Sequence, residues 1–112
     1  MTDLVALWSS YAVSNKWLAA VQQRSGDEFG ATVSLARAEA RAAAAELLTA
    51  SATPEDAAVE MYRRATALWV RELPIIGFDL AAIEYTKARI WQDCAQAIDP
   101  SLPEVQPKLT QE

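Results

Sequence analysis

Residues 53–69 read "TPEDAAVEMYRRATALW", and this stretch decides the fold class. Thr53 can cap a helix, Pro54 suits its first position, and Glu55 and Asp56 fall at its positive end. The apolar positions that follow recur every three or four residues, which is helical spacing. Outward on the N-terminal side, "TASATP" is a loop. On the C-terminal side, Pro74 in "ELPIIGFDL" cannot continue a helical hydrogen-bond ladder, so the helix over 54–73 must break or kink there.

Three more helical segments flank this one. Residues 2–24 carry Leu4, Leu7, Trp8, Tyr11, Leu18 and Val21 on one stripe, and Val13, Trp17 and Ala20 on a second. In "RSGDEFG", Ser25 and Glu28 have capping-box spacing and Gly26 can end the preceding helix. The three–four spacing itself runs on through Phe29, Val33, Ala36, Ala40, Ala43 and Leu47 and does not decide between a break and one continuous helix; a break or bend near Gly26 is the expectation. Residues 27–50 contain "ARAEARAAAAELL", built from strong helix formers. The fourth segment starts at Phe78 or Asp79, with Asp79 a usable N-cap, and ends at Ile98 before Asp99-Pro100. With 23 alanines and only three glycines, the chain is expected to be all-α. The reading is an antiparallel helical bundle or coiled coil of three to four amphipathic helices. Residues 1–100 are expected to form one domain and 101–112, with two more prolines, a disordered tail.

The second half holds a regular pattern. Val59, Tyr62, Thr66, Trp69, Leu73, Ile76, Leu80, Ile83, Lys87, Ile90, Cys94 and Ala97 step by three and four from end to end, as a heptad seam does. Its phase survives Pro74 and Gly77. That favours two nearly collinear halves of a kinked helix, with a hairpin as the alternative. Trp17, Leu68, Tyr85 and Trp91 lie off the main stripes. Alanine buries little area, so some of these side chains are expected on the surface or under a partner. The expected apolar contact and self-association residues are Val59, Tyr62, Trp69, Leu73, Ile76, Leu80, Ile83, Ile90, Trp17 and Trp91.

Composition closes several chemical routes. The chain has no histidine, which removes the commonest general base, the usual triads and most zinc sites. No Glu-x-x-His pair exists for a di-iron site, and no glycine-rich phosphate loop. Cys94, the single cysteine, lacks a histidine partner and reads as packing. Glu39 and Glu46, beside Arg37 and Arg41, read as solvated i,i+4 pairs. Glu60, Arg63, Arg64, Arg71 and Glu72 could line an anion pocket, but read better as an outer face. No cofactor or metal is expected. The net charge of −5 and the lack of a basic patch argue against nucleic acid. The longest uncharged run near the start, 4–15, is too short to cross a bilayer, and the first residues lack the cationic start of a signal peptide. A cytoplasmic location is the expectation.

One family comes into view at the link between the second and third helices. Leu47-Leu48 end an alanine-rich helix, Ala52-Thr53-Pro54-Glu55-Asp56 form a short link, and Val59, Tyr62 and Arg63-Arg64 open the next helix. This order resembles phasins, which coat polyhydroxyalkanoate granules, over roughly residues 14–100. The "LPIIG" interruption and the four tryptophans depart from that pattern. The resemblance implies a non-enzymatic coat or scaffold protein. It implies homo-oligomers through coiled-coil packing, a polyester granule surface as partner, and contact with granule enzymes. An adaptor or chaperone that holds another protein's helix in a groove is the alternative.

Overall fold

The computed structural model describes residues 3–69 and 78–104, with the backbone alone at Trp69 and at 78–81. Its helices are α1 (Leu4–Arg24), α2 (Glu28–Ala50), α3 (Pro54–Trp69) and α4 (Phe78–Ile98). The described residues form an all-α bundle without strands.

Each helix end has a local cause. Asp3 caps α1 by accepting from the Ala6 N–H at 3.2 Å. Thr53 caps α3, its Oγ1 accepting from the Asp56 N–H at 3.1 Å. Between α1 and α2 the chain turns through Gly26, whose φ of +89° is left-handed and disfavours any residue with a Cβ. The cap of α2 is Asp27, which accepts from the Gly30 N–H at 2.9 Å. Ser25, expected as part of a capping box, instead closes α1, its Oγ donating to the Gln22 carbonyl at 3.0 Å. With Gly26 taking up the reversal, the first backbone able to start a new helix lies beyond Ser25. Asp79 falls inside the first turn of α4 rather than before it.

α1 packs on α2, α2 on α4, and α4 on α3, so α2 and α4 hold the middle. The start of α1, the end of α2, the start of α3 and the end of α4 meet at one base of the bundle. The helices therefore alternate in direction. α3 and α4 lie side by side as a hairpin, not as collinear halves of one helix. The unbroken phase across Pro74 arises because each helix separately buries a stripe. The residues of the connection, with Leu73 and Ile76 among them, lie outside the described residues.

The core is made largely of methyl groups. Ala40, Ala44, Ala57, Ala65, Ala88 and Ala95 form one cluster with Trp8, Met61, Trp91 and Cys94. Small side chains let helix axes approach closely, and the few large ones fill what remains. α2 is buried on two sides: Ala31, Ser34, Ala38 and Ala45 share one stripe, and Ala36, Ala40 and Ala44 another. Between the stripes, Arg41 lies over the Tyr11 ring of α1, 4.9 Å from its centroid. The same guanidinium donates to the Cys94 sulfur of α4 at 3.5 Å.

After α4 the chain turns back. Asp99 Oδ1 accepts from the Ser101 N–H at 3.1 Å and its hydroxyl at 2.6 Å. Leu102 packs on the core, and its carbonyl accepts from Gln96 at 3.2 Å. The Tyr62 hydroxyl donates to the Pro103 carbonyl at 2.9 Å. Residues 101–104 are thus held against α3 and α4, and the remainder of the expected tail, 105–112, lies outside the described residues.

Candidate functional site: an apolar hairpin tip

The two-helix arm of α1 and α2 turns at Gly26. Near this tip Trp17, Leu18 and Val21 of α1 and Phe29 of α2 face solvent, Trp17 with 67% of its surface exposed. Val13, one turn before Trp17, is 68% exposed. Inside the arm, Gln22 and Ser34 hold the helices together through a 2.7 Å side-chain hydrogen bond. The exposure has a simple origin. Among the described residues α1 has one close helical neighbour, α2, and its fully buried side chains are Trp8, Ala12 and Ala19. The second stripe expected for α1, Val13, Trp17 and Ala20, lies on the open side.

The expected contact residues separate into distinct environments. Val59 is 67% exposed on α3, and Tyr62 is half-buried beneath Pro103. Ile90 and Trp91 are buried in the core, and Ile83 is half-buried. Trp91 also receives Arg64, whose guanidinium sits 5.0 Å from the ring centroid. The side chains of Trp69 and Leu80, like all of Leu73 and Ile76, lie outside what the structure describes. Of the off-stripe residues, Trp17 and Tyr85 are exposed, Leu68 is half-buried and Trp91 is covered. Sequence reasoning passed over Phe29 and Val21 as contact residues. Their signal was the glycine turn between them, which places both where no third helix reaches.

Among the described residues, the charged groups of α3 in the expected anion pocket pair with one another. Glu60 takes Arg63 at 2.6 Å and Arg64 at 2.9 Å along one face of α3. Hydrogen bonds from Arg63 and then Arg64 hold its carboxyl down at about 2. Arg71 and Glu72 lie outside the described residues. The expected pairing of Glu39 and Glu46 with Arg37 and Arg41 is not formed among the described residues, because these acids and arginines lie two, five or nine residues apart, not three or four, and Arg41 turns inward to Tyr11 and Cys94. Burial pushes the Cys94 thiol up to about 11 despite the nearby Arg41, so at neutral pH it is a packed thiol and a poor nucleophile. At the base, where four helix ends meet, Leu4, Leu48 and Ile98 line a hollow of about 770 Å³ with Asp3 and Glu55 at its edge. Among the described residues no group of three carboxylates or thiols could hold a metal, and no helix is long and apolar enough to cross a membrane.

No protein-family model, curated protein or solved structure matches the chain. The arm itself is a pair of helices, each capped at its start by an aspartate, with Trp17, Leu18, Val21 and Phe29 exposed towards the turn.

Proposed function

We propose that the chain is a non-enzymatic, phasin-like coat or scaffold protein that adsorbs to an apolar surface, such as a polyester granule, and self-associates. The observation that carries this reading is the exposed apolar surface that Trp17, Leu18 and Val21 give the last turns of α1 and Phe29 gives the first turn of α2. Exposed apolar patches of this kind mark contact surfaces. The sequence order around Leu47-Leu48 and Ala52–Asp56 supports the phasin-like form of the reading. The acidic balance of −5 suits a coat whose water-facing side keeps coated particles apart.

The test is co-sedimentation with purified polyhydroxyalkanoate particles at low salt. The wild-type chain is expected in the pellet. The triple variant Trp17→Ser, Val21→Ser, Phe29→Ser is expected to stay in the supernatant with its helical content unchanged. A wild-type chain that remains in the supernatant overturns the reading.

A further inference from the structure

We propose that the open face of the α1–α2 hairpin, which runs from the base groove to the turn beside Trp17, is a self-complementary docking surface for a second copy of this chain. This deepens the self-association in the reading above and does not require the polyester surface. Between the two helices on that face runs a groove of about 480 Å³, lined by small or apolar residues including Val5, Val13, Ala42 and Ala45. Lys16 stands on its α1 bank and Glu46 on its α2 bank.

The two banks carry opposite charge. From Leu4 to Arg24 the only charged side chains are Lys16 and Arg24. On α2, Glu28, Thr32, Leu35, Glu39, Ala42, Glu46 and Thr49 follow one another by steps of four and three, a single face, on which every charge is negative. All but Ala42 are exposed. None of Lys16, Arg24, Glu28, Glu39 or Glu46 makes an ion pair among the described residues.

This pattern selects one arrangement of a two-fold dimer. If α1 met α1 and α2 met α2, like charges would face each other. With the two-fold axis along the helices, each α1 lies antiparallel on the second copy's α2, as it already does on its own. The contacts Tyr11–Arg41 and Gln22–Ser34 set the level of the two helices. By that register Lys16 comes within a turn of the second copy's Glu39, and Arg24 comes about one turn from its Glu28. Val13 meets the second copy's α2 near Ala42, where a small side chain leaves room. Two helices of some twenty residues give a face of roughly 30 by 20 Å. That is about 1,200 Å² buried in total, at the lower end of specific interfaces.

The experiment is sedimentation equilibrium on the full chain across a wide concentration range, at low salt and at about 0.5 M salt. The wild type is expected to dimerise, more weakly at high salt. Lys16→Glu/Arg24→Glu and Glu28→Lys/Glu39→Lys, each alone, are expected to raise the dissociation constant at least tenfold while keeping wild-type circular dichroism. Mixed in equal amounts they are expected to form a heterodimer, since both helix contacts regain opposite charges. A wild type that stays monomeric overturns the proposal. So do reversed variants that associate like wild type, or a mixture no tighter than its components. The charge-reversed variants keep Trp17, Leu18, Val21 and Phe29, so polyester co-sedimentation of these variants reads adsorption separately from dimerisation, and either result can fail without the other.

Discussion

At the scale of single residues, Arg41 and Cys94 show how the core accepts polar atoms. The guanidinium is shared between an aromatic face and a sulfur, and the thiol stays neutral because burial outweighs the cation beside it. A thiol whose folded value is raised from 9.0 to about 11 stabilises the fold fully below pH 9. That contribution is lost as pH rises from 9 towards 11. Urea midpoints measured over this range should therefore fall more steeply for wild type than for Cys94→Ala. Glu60 has the opposite sign. Its carboxyl, lowered from 4.5 to about 2, contributes above pH 4.5, and the contribution fades as pH falls to about 2. The trio lies at the surface, Arg63 exposed and Glu60 and Arg64 part-exposed, so Glu60→Gln should cost only about 0.5 kcal/mol at pH 7 and should flatten the acid limb of the stability curve. Truncating Met61, fully buried in the alanine cluster, should cost about 2–5 kcal/mol by chemical denaturation.

At the scale of helices, the punctuation was legible in the residues. Thr53-Pro54, Gly26 and Asp99-Pro100 mark three boundaries, and each has a physical sign that needs no tertiary context. The burial pattern was not legible in the same way. Large apolar side chains drew the heptad seam through Val59, Tyr62 and Thr66, whereas the covered face of α3 runs through Ala57, Ala58, Met61 and Ala65. Where helices approach on alanine, the tightest contact carries the smallest side chains, and a reading weighted by hydrophobic bulk is rotated away from it. The in-phase steps across Pro74 misled for a related reason, because two antiparallel helices can each keep the period without sharing an axis. Ala44→Leu, at a fully covered site on α2, should therefore destabilise by about 1–3 kcal/mol through overpacking, despite leucine's good helix propensity. Gly26→Ala should cost about 1–2 kcal/mol, since its left-handed φ penalises a Cβ even though open space surrounds the site. Thermal melts of both variants would check these values.

At the scale of the whole molecule, the four described helices alternate in direction and, among the described residues, leave α1 covered on one side only, while the returning segment 101–104 straps α3 to α4. A chain ending at Pro100 loses the Leu102 packing, the Tyr62–Pro103 hydrogen bond and the 3.5 Å Arg89–Glu104 pair. It should be about 2 kcal/mol less stable in a guanidinium titration, with its helical content intact. The placement of the indoles has a further use. Trp8 and Trp91 sit inside the bundle while Trp17 stands in water. In a Trp69→Phe chain, which removes the fourth indole, an ionic quencher such as iodide would therefore silence the red-shifted emission of Trp17 and spare the blue-shifted emission of Trp8 and Trp91. The molecule thus carries its own optical reporter, in which one colour follows events at the hairpin arm and another follows loss of the interior.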